Sequence, residues 1–248
     1  MPSIQELIQE MNGDQEAVFK AERKLTTMAM AAGAPGNEDA RNHLEAELAE
    51  ALTARTKDEK GKEDWTHSVN ARNRICLLLS FIGHETAVQP LSQDQMMGSL
   101  DVREMVRFAL ERNPTDRALG QLCCALHEFG PVFRTGAVNA MARRTDSDSA
   151  MRMLQWVAKS DEDFETRLAA AEALSRFPDV ANDDLIYPFT QSRMKLARRR
   201  AHAARVRLAE TLRDADKLDD ARRIYAAVQL SDAPQAQRNA ADIGLQSL

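Results

Sequence analysis

Aromatic residues make up only 5% of the chain, and glycine and proline number 10 and 8 among 248 residues. Sheets are built from β-branched and aromatic side chains, which are scarce here. Ala, Leu, Arg, Glu and Met, which lose little rotamer freedom in a helix, are abundant. A sheet architecture is excluded and helix nearly throughout is expected. Cysteines number three, an odd count inside helical pattern, which excludes a disulfide framework and fits a reducing compartment. Nowhere do 18 apolar residues run together, so no membrane span is expected. The first residues, Met1 to Leu7, lack the basic and apolar regions of a secretory signal, and a cytoplasmic protein is expected.

Hydrophobic residues reach 44%, enough for a continuous core, which excludes a disordered chain. Net charge is −5 with a pI of 5.6. The molecule as a whole is therefore no polyanion binder, although a local basic patch is compatible with that balance.

The chain repeats. With Leu79, Leu110, Met141 and Leu174 taken as equivalent, four similar segments follow one another at spacings of 31, 31 and 33. A second series, Ala87-Val88 with Leu91, Ala118-Leu119 with Leu122, and Ala150-Met151 with Leu154, falls between them at 31 and 32. Two independent series with one period define a repeat protein. Each unit reads as two short helices, one bearing the stripe Phe164, Leu168, Ala171, Leu174. Gly83-His84, Asn113-Pro114, Gly130-Pro131 and Phe177-Pro178-Asp179 mark the turns. One such hairpin cannot bury its apolar face alone, whereas stacked neighbours can.

The run from Asp161 to Leu174, an acidic turn followed by Arg167 and an Ala/Leu-rich helix, resembles the second-helix signature of HEAT repeats. The stretch from about Asn70 to Phe177 is similar to bacterial HEAT-repeat proteins, through Arg72 to Gly83 and Met105 to Arg112. The resemblance implies an all-α fold, an α-solenoid of stacked antiparallel hairpins in a right-handed superhelix, with a scaffolding role and no catalytic residue. A single elongated domain over 1–248 is expected. Its first part, 1–64, reads as two longer helices, 3–33 and 37–55, then a charged loop, Lys57 to Asp64, with Trp65 opening the next helix. The core repeats occupy 65–179. The last part, 180–248, holds a basic helix and a capping hairpin, Leu208 to Tyr225, that resembles one tetratricopeptide unit.

No catalytic motif is present: there is no G-x-S-x-G elbow, no phosphate-binding G-x-x-x-x-G-K-[ST] and no H-E-x-x-H. Cys123 and His127 share a helix face, but structural zinc needs four ligands and no second pair exists, so packing is the expected role. Neither a cofactor nor a metal is expected. The informative feature is basic. Between residues 193 and 207 stand Arg193, Lys195, Arg198, Arg199, Arg200, Arg205 and Arg207, with no acid among them. These seven are the candidate polyanion- or partner-binding residues. A solvated helix whose arginines pair with Asp161, Glu162, Asp163 or Glu165 is the alternative. The expected function is a non-catalytic protein–protein interaction scaffold; a nucleic-acid-binding protein using the 193–207 helix is the second reading.

Overall fold

Serine and aspartate ahead of Ala- and Leu-rich runs decide where the helices begin. Ser3, Asp14, Ser68, Ser99, Ser147 and Asp163 each accept a backbone N–H three residues on, from Glu6, Ala17, Ala71, Val102, Ala150 and Thr166. These bonds satisfy donors that a helix leaves open at its start. The computed structural model describes residues 2–97 and 99–248, without the side chains of 94–97. Within them the chain forms fourteen helices and one two-stranded ribbon. It divides into two compact units, Met1–Cys124 and Ala125–Leu248.

The first unit contains α1 (Ile4–Glu10), α2 (Gln15–Ala32), α3 (Glu38–Thr53), β1 (Arg55–Lys57), β2 (Glu63–Trp65), α4 (Val69–Ile82), α5 (Glu85–Met97) and α6 (Leu100–Arg112). Alternate helices stack: α2 on α4 and α4 on α6 form one layer, α1 on α3 and α3 on α5 the other. A buried carboxylate ties the layers. Glu45 on α3, 1% exposed, accepts the N–H groups of His84 and Ala87 at 2.7 and 2.8 Å and so caps α5. The negative charge sits at the positive end of that helix. Asn113 Nδ2 donates to the His84 carbonyl at 2.7 Å, which fixes the Asn113-Pro114 turn against the Gly83-His84 turn.

Two expectations for this part give way. The helix expected over 3–33 is broken at Met11–Asp14, because Asp14 leaves the helix to cap α2 and Asn12 bonds elsewhere. Asn12 Oδ1 accepts the Ser68 N–H at 2.9 Å, and its amide group meets His67 Nδ1 at 2.9 Å. The charged segment expected as a loop is an antiparallel ribbon, with Arg55 opposite Trp65 and Lys57 opposite Glu63. Trp65 therefore ends a strand, and α4 starts four residues later. The guanidinium groups of Arg55 and Arg72 both lie over the Trp65 ring, the latter at 3.5 Å from its centre. Arg72 is 2% exposed, and burial brings it down to about 10; burial also pushes the Cys76 thiol, one turn on, up to about 12.

The helix α7 (Asp116–Glu128) spans the boundary between the units. The second unit continues with α8 (Pro131–Met141), α9 (Asp148–Ser160), α10 (Phe164–Leu174), α11 (Asn182–Thr190), α12 (Lys195–Asp214), α13 (Leu218–Gln229) and α14 (Gln235–Gln246). The same alternation recurs: α8, α10, α12 and α14 stack in sequence, and α9 packs on α11. The acidic turn at 161–163 has a structural purpose. Asp161 accepts Arg134 Nη2 at 3.0 Å in a buried pair, and Arg167 donates to the carbonyls of Asp161 and Glu162. The equivalent residues Leu79, Leu110, Met141 and Leu174 are all buried. Beyond α13, α14 packs against Tyr225 at Gly244.

Candidate binding surfaces

The basic helix is α12, and the seven candidate cations on it and just before it divide into two groups. Three bond to neighbouring elements. Arg200 donates to both oxygens of Glu172, at 2.8 and 2.6 Å, and to Glu165 at 2.8 Å. These partners hold the guanidinium proton far more firmly than usual, hydrogen bonding to Glu172 being the largest cause. Arg205, 4% exposed, grips Asp183 on α11, and Arg207 reaches Ser175 Oγ at 3.4 Å. These contacts join α12 to α10, to the turn after it and to α11. Glu165 was among the acids expected as partners; Glu172 and Asp183 were not.

The remaining cations gather at the start of the helix. Arg193, Lys195 and Arg199 are exposed and make no ion pair with a described residue; Arg198 is half-buried and donates to the Ser192 and Arg193 carbonyls. Lys195, Arg198 and Arg199 line a cleft of about 410 Å³ with His202, Asp232, Pro234, Ala236 and Gln237. Its walls are thus the first two turns of α12 and the opening of α14. The His202 ring is 2% exposed. Its Nδ1 has no hydrogen-bond partner among the described residues, and its Nε2 stands 3.8 Å from Asp232 Oδ1. Burial holds the imidazole below its usual range; Asp232 pulls it back up, and Arg205 and Arg198 push it down again. Gln237 Oε1 is likewise buried without a partner.

A second surface lies in the first unit and was not foreseen. On α2, Lys20, Arg23, Lys24, Thr27 and Met28 stand at i, i+3, i+4, i+7 and i+8, the spacing of one helix face. With Leu7 of α1 and Pro2 they line a groove of about 550 Å³. Lys20 pairs with the exposed Glu16, while Arg23 and Lys24 make no ion pair with a described residue. The spacing was legible in the sequence. What it lacked was α1 as a separate helix, which supplies the opposite wall.

Cys124 is exposed and Cys76 buried in another part of the core, and His127 packs on Trp156 with ring centres 5.2 Å apart. Trp156 is 44% exposed.

No protein-family model and no curated protein matches the chain. Among solved structures it is similar to the complex of CpcE and CpcF of phycocyanin lyase from Nostoc sp. PCC7120, at 16% identity over 100% of this chain and 95% of that chain, with a TM-score of 0.45. It is similar to a designed armadillo repeat protein in complex with the peptide (KR)4, at 17% identity over 99% of each chain and a TM-score of 0.39. An engineered protein is similar at 16% identity over 98% of this chain and 72% of that chain, with a TM-score of 0.45. On its own alternating hairpins, the chain is a helical-repeat protein.

Proposed function

We propose that this protein is a non-catalytic scaffold that binds other proteins, and that the α1–α2 groove receives an amphipathic helix of a partner, apolar on one side and acidic along its edge. The observation that carries the reading is the composition of the groove. Its far side is Leu7 and Pro2, and its near side is Lys20, Arg23, Lys24 and Met28, all on one face of α2. Apolar anchors laid into a groove supply affinity, and a charged rim supplies orientation and partner choice. Methionine at such a site adapts to differently shaped side chains. The residues from 20 to 28 run about 12 Å along the helix axis, two turns' worth of contact.

The nucleic-acid reading has less support. A backbone-tracking stripe needs cations spaced along the helix, and Arg200, Arg205 and Arg207 are bonded within the fold. The cytoplasmic location is part of the same proposal and is supported by the small, odd number of cysteines, three in helical segments.

The test is capture by the tagged full chain from its native lysate, treated with nuclease, beside a variant carrying Arg23→Glu, Lys24→Glu and Met28→Asp. All three side chains are exposed, so the variant folds. The expected result is a protein partner retained by the parent and lost by the variant. Partners held equally by both would remove the groove from the reading, and partners lost to nuclease alone would overturn it in favour of nucleic acid.

A further inference from the structure

The start of α12 has the wrong sign. A helix N-terminus carries about half a positive charge, and acids or capping side chains ordinarily oppose it. Lys195, Arg198 and Arg199 place three cations there instead; the first turn of α12 has no acid, and its capping position, Met194, offers no side-chain bond. The helix that completes the cleft repeats the pattern. Helix α14 begins after Pro234, again with no side-chain cap and no acid in its first turn. Two positive helix ends and three cations thus converge on one cleft, opposed by Asp232 alone. Independently, a buried ring that lines the cleft, His202, has one nitrogen unsatisfied: its Nδ1 has no hydrogen-bond partner among the described residues. Buried polar atoms are ordinarily satisfied, and an exception calls for a missing partner.

We infer that the cleft between α12 and α14 is a binding site for a phosphomonoester carried on a side chain of a protein partner. The charge favours a dianion over a carboxylate, because three cations and two helix ends exceed what one negative charge balances. Three terminal oxygens also meet more of the converging donors than two. The room favours a carried phosphate over a free one. A cleft of about 410 Å³ is in the range that encloses a ligand larger than a single ion, so the carrier sits in it too. The local cluster does not suit a phosphodiester backbone, which would need free cations continuing along the helix, where Arg200 and Arg205 are engaged by carboxylates and only the exposed Arg207 follows. This inference is separate from the α1–α2 groove and stands or falls without it.

The experiment is a titration of the ¹⁵N-labelled full chain followed by amide shifts. The probes are N-acetyl-O-phosphoserine amide, inorganic phosphate, N-acetylglutamate amide and a short DNA duplex. Shifts confined to Lys195–His202 and Gln235–Gln237 are expected, with the blocked phosphoserine binding in the millimolar range, about ten-fold tighter than the glutamate analogue. Arg199→Gln is expected to weaken it about ten-fold without moving the thermal midpoint, since Arg199 is exposed and makes no described ion pair. No shifts at those amides, or shifts indifferent to Arg199→Gln, would overturn the site. Phosphate binding as tightly as the blocked phosphoserine would overturn the carried ligand. Duplex binding that is tighter still and lost in Arg199→Gln would replace it with a phosphodiester.

Discussion

Arg205 and Asp183 are joined by two parallel hydrogen bonds, Nε to Oδ1 at 2.7 Å and Nη2 to Oδ2 at 2.9 Å, with the arginine 4% exposed. The pair locks α11 to α12. It also presents the fork of the guanidinium to a carboxylate in the geometry that suits it best. Removing one partner leaves the other charge poorly solvated. Arg205→Ala is expected to cost about 3 kcal/mol, the lower end for a broken buried pair because Asp183 keeps some solvent contact. Arg199→Ala, six residues away on the same helix, is expected within about 0.5 kcal/mol of the parent. Urea midpoints of the two variants measure this; equal midpoints would mean that the inward and outward cations do not differ.

Gly244 is a packing requirement. A Cβ there would overlap the ring of Tyr225, which is 1% exposed and cannot swing away. Gly244→Ala is expected to destabilise by about 1–3 kcal/mol through overpacking. Gly120 in α7 has nothing within 4 Å of where its Cβ would stand, so Gly120→Ala is expected to stabilise by about 1 kcal/mol through helix propensity. Thermal midpoints moving in opposite directions would confirm the pair; a tolerated Gly244→Ala would show that α14 repositions freely on α13.

Two buried histidines make the fold sensitive to acid. Burial lowers His67 and His202 below the ordinary value of 6.5, Asp232 opposing and Arg205 and Arg198 reinforcing the shift at His202. Above about pH 6.5 each ring is neutral folded and unfolded, and the stability is fully present. Below it the unfolded chain takes up protons that the folded chain refuses, so stability falls as the pH drops toward the folded values. Between about pH 7.5 and 5.5 the parent is expected to lose stability, and His67→Gln with His202→Gln to flatten the slope. An unchanged slope in the double variant, read from urea midpoints, would assign the acid sensitivity to other groups.

The repeat was legible because it is a statement about single residues at fixed intervals. Leu79, Leu110, Met141 and Leu174 occupy one buried position, and the Gly-His, Asn-Pro and Gly-Pro turns interrupt the pattern where the helices end. The break before α2 was hidden because Gly13 alone is tolerable in a helix, and the bonds that end α1 run to His67 and Ser68, far along the chain. The ribbon at 55–65 was hidden for a similar reason. Its charged residues have little strand preference, and it is anchored by Arg72 over Trp65. The basic helix showed its seven cations but not their direction. Glu172, Asp183 and Ser175 reach them from other elements, and which side of α12 faces those elements is set by packing rather than by spacing.

The alternation of neighbours in each unit has a consequence for how the chain acquires its structure. A helix here meets the helix before it and the one before that, so each closure joins segments that are already near in sequence. Loops of that length cost little entropy to close, and chains rich in such contacts fold quickly, in microseconds to milliseconds. A hairpin in either unit can form first and recruit the next, which gives several routes to the same end. Assembly by accretion also means that a lesion such as Arg205→Ala loosens its own neighbourhood first, while hairpins farther along that unit keep their protection against hydrogen exchange.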